Sequence, residues 1–192
     1  MLVADIDTDM ISPGHSGKKT PEEAAFAPMR YRADGSDDPA FVLNQTPFRG
    51  APILLASENF GCGSSRETAV WALRALGIRC VIAVSFGDIF FQNCFPNGVL
   101  PIVCAPETVT ALAAEAATGD PVEVDLQTMV IRSPRGRRIA FTLDPTRRRQ
   151  LLEGLDDIDA TLLLAGRIDA FQQADRIRRP WIHDVGPGPA RS

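Results

Sequence analysis

Residues 52–84 read PILLASENFGCGSSRETAVWALRALGIRCVIAV. PILLAS (52–57) is an apolar run of strand length, and RETAVWALRALG (66–77) sets Ala69, Ala72, Leu73 and Leu76 at helical spacing ahead of Gly77, a residue suited to ending a helix. IRCVIAV (78–84) is a second strand-like run, FGDIFFQNC a short helix, FPNG (95–98) a turn and VLPIV (99–103) a third strand. The pattern is β-α-β-α-β, which places the chain in the α/β class. Downstream, PETVTALAAEAATGD reads as a helix from Pro106 to Gly119. VEVDL, TMVIRS and RRIAFTL read as alternating strands, and PTRRRQLLEGL and IDATLLLAGRIDAFQQAD as two C-terminal helices. The segment 12–40 follows neither period and mixes prolines, glycines and charges, so it is expected to be a long loop broken by short turns, either a substrate-facing lid or disordered.

With 192 residues, 45% of them apolar, the chain is long enough for a sizeable core. One domain is expected over 1–180, followed by a flexible Gly- and Pro-rich tail at 181–192. A net charge of −4 and a pI near 5.2 lack the basic footprint of a nucleic-acid binder. No apolar run approaches the roughly 18 residues of a membrane span. The opening MLVADIDTD is acidic where a signal or transit peptide is basic, so a cytoplasmic location is expected. Cys62, Cys80, Cys94 and Cys104 form no C-x-x-C pair and have no nearby histidine. They read as buried reduced thiols, and their spacing is wrong for a metal or iron–sulfur site made by this chain alone. Arg132, Arg135, Arg137, Arg138 and Arg147 to Arg149 read as a solvated face, with a partner-facing surface as the alternative.

The chemistry concentrates in Gly61-Cys62-Gly63-Ser64-Ser65-Arg66. A strand, a glycine-rich turn and a helix start gather free backbone N–H groups and a positive dipole end around one small space, which suits an anion. Glycines permit close approach, and Arg66 offers a fork of donors for a carboxylate or phosphate. The dinucleotide fingerprint fails because Arg66 stands where Gly or Ala belongs, and a Walker loop fails for want of Gly-Lys-Ser/Thr. Neither serine has the flanks of a nucleophile elbow, and only two histidines, His15 and His183, are present for a triad. The competing structural reading is a capping box, Ser64-x-x-Glu67, although a cap alone needs neither two glycines nor an arginine.

NFGCGSSRE, then WAL and VIAVSFGDIFFQNCFPNGVLPI, strongly resemble the small subunits of isopropylmalate isomerases, relatives of the aconitase swivelling domain. DIDTDMISP (5–13) and DPAFVLN (38–44) extend the resemblance to separate places in the right order. It implies a swivelling β/β/α domain with a long N-terminal loop and C-terminal helices. It implies a small subunit of a hydro-lyase that isomerises isopropylmalate by dehydration and rehydration in leucine biosynthesis. The implied cofactor is a 4Fe-4S cluster, supplied by a large partner subunit in a heterodimer or heterotetramer, whose open iron binds the hydroxyl of a small dicarboxylate substrate. By the same resemblance Ser64 is the base, Ser65 and Arg66 grip a carboxylate beside Gly61 and Gly63, and Asp9, with Thr8 beside it, pairs with a histidine of the cluster-bearing part. Ser12, Gly14 and Thr68 depart from the family pattern, and Ser12 is placed at the substrate side. Two alternatives stand beside this reading: another branched malate such as citramalate, or a noncatalytic partner subunit. Phe26, Met29 and Tyr31 of the 12–40 loop are the expected contacts for the substrate's alkyl group.

Overall fold

The computed structural model describes residues 1–14, 20–63 and 67–183, apart from the side chain of Asp157. The chain divides into two compact units, Met1–Gly154 and Leu155–Ser192, a boundary inside the span expected as one domain.

The first unit is built on a parallel sheet of β1 (Ile53–Leu55), β2 (Cys80–Ala83) and β3 (Leu100–Val103), ordered β1-β2-β3. Ile53 pairs with Cys80, and Cys80 with Leu100. All four residues of β2 are buried, as a central parallel strand covered on both faces requires. Alternation then assigns the faces. Val81 and Ala83 join one core with Leu54, Val70, Leu73, Phe60 and Phe90, while Cys80 and Ile82 join a second with Ile102, Leu112, Ile131 and Phe141.

Helix α4 (Thr68–Ala75) covers the first face with Ala69, Val70, Ala72 and Leu73 buried. It stops as expected at Gly77: the residue has φ +88°, its N–H donates to the Arg74 carbonyl at 2.9 Å, and the Ile78 N–H to that of Leu73 at 3.0 Å. That pair of bonds satisfies carbonyls the helix end leaves open. Helix α5 (Asp88–Cys94) leads into β3, and α6 (Pro106–Ala116) buries Val109 and Leu112 in the second core. Against that core lies an antiparallel sheet of β4 (Glu123–Asp125), β5 (Val130–Arg132) and β6 (Arg138–Ala140). Helix α7 (Pro145–Glu153), capped by the Asp144 carboxylate accepting from the Thr146 and Arg147 N–H groups, closes the unit.

In segment 12–40 the turns expected to break the loop are single turns of helix, at Pro21–Ala24 and Ala27–Arg30. Among the described residues, the short α-helices α1 (Thr8–Ile11), α2 (Pro21–Ala24) and α3 (Ala27–Arg30) precede β1, followed by a 3-10 turn at Val42–Asn44. The cause of α2 is local: the Thr20 hydroxyl accepts from the Glu23 N–H, Pro21 sits in the first turn, and two acids follow. Phe26 is fully buried, its ring centroid 5.7 Å from that of Phe41, and its N–H donates to the Ile11 carbonyl. It is a core residue and has no surface left for a substrate's alkyl group, which corrects the expectation. Met29 packs against the same core, and Tyr31 is half-buried beside a bridge to Asp37.

The second unit is helical. The stretch expected as one helix breaks into α8 (Asp157–Leu162), capped by Asp156, and α9 (Ala165–Arg178), followed by α10 (Pro180–His183). Trp181 to His183, expected in the flexible tail, are therefore helical, and the rest of that tail lies outside the described residues. Asp175 ties α9 to α10, accepting from Arg179 at 2.6 Å and lying 3.1 Å from His183 Nε2.

Candidate active site

Two motifs separated by some fifty positions meet at one place. Residues 5–8 run alongside 58–62: the Asp5 N–H donates to the Glu58 carbonyl at 3.0 Å, the Gly61 N–H to Ile6 at 2.7 Å and the Thr8 N–H to Cys62 at 2.8 Å. The Asp7–Cys62 bridge is parallel. On its other side the 58–62 chain joins 85–87, where the Phe60 N–H donates to the Ser85 carbonyl and the Gly87 N–H to Phe60. The D-T-D segment and the glycine turn thus sit on one extended frame continuing from the C-terminal end of β1.

In the D-T-D segment, Asp7 caps α1, accepting from the Met10 N–H at 2.6 Å. Thr8 is buried, Asp9 is exposed in the first helical turn, and Ser12 closes the helix with its N–H on the Thr8 carbonyl at 2.8 Å. Thr8, Asp9 and Ser12 are thereby gathered within two turns of chain.

The glycine turn leaves no room for a side chain at residue 61. Gly61 has φ +75°, and a Cβ there would lie 2.2 Å from Cγ of Phe90. Gly63, at φ +99°, has the Thr8 hydroxyl 3.4 Å from the position of its absent Cβ. Gly61 therefore meets both a steric and a backbone requirement, and Gly63 a backbone one, that glycine satisfies. Behind the turn stands an aromatic cluster: Phe90 meets Phe60 edge-on at 5.4 Å and stacks on Phe86 at 6.2 Å. Sequence reading took this segment as a helix and missed the contact, for which the run of phenylalanines in SFGDIFF was the available signal.

Ser64, Ser65 and Arg66 lie outside the described residues, as does the proposed Ser64 capping box. The described helix begins at Thr68 with Glu67 at the N-cap position and no side-chain cap bond from it. Trp71, one turn on, is half exposed and donates its indole N–H to Asn97 Oδ1 at 2.9 Å.

Of the cysteines, Cys80, Cys94 and Cys104 are buried and Cys62 half-buried, all unpaired. Burial pushes every one of their thiols up, and at Cys62 the Asp7 and Asp5 carboxylates add to it. Such thiols resist becoming the thiolates that metal ligation needs. Among the described residues no group of three His, Cys, Asp or Glu side chains is arranged to hold a metal. No helix among them is long and apolar enough to cross a membrane.

The arginines expected on a solvated face are mostly engaged within the first unit. Arg132 pairs with Glu123 and Arg137 with Glu115, the latter at 2.5 Å. Arg148 donates to the Leu126 and Gln127 carbonyls, and Arg149 pairs with Glu153. Arg147 lies 4.2 Å over the Phe95 ring and donates to Gln92.

Comparison with known proteins agrees with this arrangement. Residues 15–107 match the family model of the aconitase C-terminal domain, and residues 110–145 match one described as LeuD_N. A 3-isopropylmalate dehydratase small subunit from Cupriavidus necator is 53% identical over 97% of this chain and 94% of its own length. One from Gluconacetobacter diazotrophicus is 52% identical over 93% of this chain and 89% of its own. The crystal structure of a 3-isopropylmalate dehydratase from Methanocaldococcus jannaschii superposes with a TM-score of 0.61 at 30% identity, covering 89% of this chain and 95% of that one. With its parallel α/β sheet, its glycine turn joined to the D-T-D segment and this near full-length identity, the chain belongs to the family of 3-isopropylmalate dehydratase small subunits.

Proposed function

We propose that this chain is the small subunit of a heteromeric hydro-lyase that interconverts 2-isopropylmalate and 3-isopropylmalate in leucine biosynthesis, working in the cytoplasm. The observation that carries the reading is the pair of backbone bonds, Gly61 N–H to Ile6 and Thr8 N–H to Cys62, which joins the two motifs expected to act together. Family membership supports it over the other branched malates and over a noncatalytic partner.

In this reading Ser64 takes the carbon-bound proton, and Ser65 and Arg66 hold a substrate carboxylate at the turn made by Gly61 and Gly63. A serine hydroxyl is a weak base until its anion is stabilised, and N–H groups at a glycine-rich helix start supply that stabilisation. Asp9 is assigned to a histidine of the partner, with Thr8 and Ser12 on the substrate side. The partner is a large iron–sulfur subunit bearing the 4Fe-4S cluster, in a heterodimer or heterotetramer.

The test is reconstitution with the large subunit and assay of both isopropylmalates. The complex is expected to turn over and the isolated chain to be inactive and free of iron. Ser64→Ala is expected to lower turnover by about 10²- to 10⁴-fold, as removal of an acid–base group does, with little loss of substrate binding. Near-normal turnover together with about 1 kcal/mol lost stability would assign Ser64 to capping instead.

A further inference from the structure

We propose that Phe90 is a positioning residue of the reaction, acting through the backbone of Gly61–Gly63; the inference rests on the function proposed above for that turn. Its ring is nearly fully buried and occupies the space where any other residue at 61 would carry its Cβ, 2.2 to 2.7 Å from three Phe90 atoms. The ring cannot retreat easily, since Phe60 meets it edge-on and Phe86 stacks on it. Its helix is anchored to the same frame, because Gly87, the N-cap of α5, donates its N–H to Phe60 at 2.9 Å.

The turn is therefore gripped from two directions. The main chain of residues 6–8 holds it by hydrogen bonds at Gly61 and Cys62, and Phe90 presses on Gly61 Cα. Hydrogen bonds alone fix where the strand lies but leave the peptide planes free to rock about them. A flat ring against a glycine at φ +75° removes that freedom, and residues 64–66 depart directly from the end of this gripped segment. A shift of the order of 1 Å in the departure point is enough to misplace a reacting group, which costs about 10²-fold in rate.

The test compares Phe90→Leu with Leu112→Ala, a substitution in the other core, in the complex with the large subunit and at a temperature well below both unfolding midpoints. Phe90→Leu is expected to lower kcat about 10- to 100-fold, within the range that misplacement produces, with KM little changed. Leu112→Ala is expected to keep its kcat. In the isolated chain, amide hydrogen exchange over 58–63 should quicken in Phe90→Leu and stay unchanged in Leu112→Ala. Wild-type kcat in Phe90→Leu, or an equal kcat loss in both variants, overturns the proposal. If the unsubstituted complex fails to act on isopropylmalate, the function proposed above falls, and the exchange measurement still decides Phe90: faster exchange supports its grip, unchanged exchange overturns it. Should Phe90→Leu not fold, Phe90→Met, which keeps bulk on an unbranched chain, is read by the same two measurements.

Discussion

The two faces of the parallel sheet are packed by different means. On the site-bearing face, aromatic rings press directly on backbone: Phe90 against Gly61, with Phe60 and Phe86 behind it. On the opposite face, mainly aliphatic side chains such as Ile82, Leu112 and Ile131, with the buried ring of Phe141 among them, fill volume between sheet, helix and hairpins, and arginine–glutamate pairs decorate the rim. Side chains in an aliphatic core can shift rotamers to absorb a change, whereas a ring lying on a glycine Cα has nothing to exchange. If the proposed positioning role of Phe90 holds, the first face serves position and the second stability, and substitutions should separate the two.

The sharpest separation is expected at Gly61→Ala. The new methyl meets the Phe90 ring and sits at a positive φ, costs of about 1–3 kcal/mol for overpacking and about 1–2 for the left-handed backbone. Turnover of the reconstituted complex should fall by about 10²-fold or more beyond what the melting temperature explains. Leu112→Ala should cost a comparable about 2–5 kcal/mol in denaturant unfolding, since the residue is fully buried, yet leave turnover per folded molecule intact. A parallel loss of turnover there would erase the distinction between the faces.

Arg147→Ala tests the edge of the aromatic side. Loss of the guanidinium over Phe95 should lower stability by about 0.5–1 kcal/mol, read as a small shift in the unfolding midpoint, and Arg147→Lys should recover part of it. The smallest effect is expected at Glu115 on the opposite side. The Ser133 hydroxyl, then the Arg135 N–H and Arg137, hold its carboxyl below the ordinary 4.5. A depressed folded-state value contributes stability above the unfolded value, lost as pH falls through the folded one. Glu115→Gln should therefore destabilise slightly at neutral pH and match the unsubstituted chain in acid below that value, as pH-dependent melting curves would record.

Legibility in the sequence followed the range of the interactions. Strands β1 to β3, α4, α5 and α6 announced themselves through apolar runs closed by Gly77, Gly98 and Gly119, all of which have positive φ. The glycine turn was legible as a turn, because its two glycines and helix start are adjacent in the chain. What it leans on was not: Phe90 and residues 6–8 reach it across long separations and leave no local period. Phe26 misled because the short apolar run 24–29 around it is broken by Pro28 and sustains no helix or strand period to mark it as core. The break between α8 and α9 falls within Leu162-Leu163-Leu164, good helix formers, and the nearby Gly166 lies inside α9 rather than at the break. The Thr20-Pro21 start of α2 was readable and went unread.

The pairing of residues 5–8 with 58–62 also bears on the order in which the molecule assembles. Asn59 Nδ2 reaches Asp5 Oδ1 at 2.8 Å across a separation of 54 positions. Contacts between such distant segments form only after the intervening chain has surrendered its freedom, whereas β1, α4 and β2 are near neighbours in sequence. The sheet is thus expected to form ahead of the frame joining residues 5–8 to 58–62, and during synthesis the D-T-D segment must wait for the ribosome to release the turn that completes it. A nascent or partly folded chain would carry a formed sheet and an unformed site, a state in which it has nothing to offer its large subunit or a substrate.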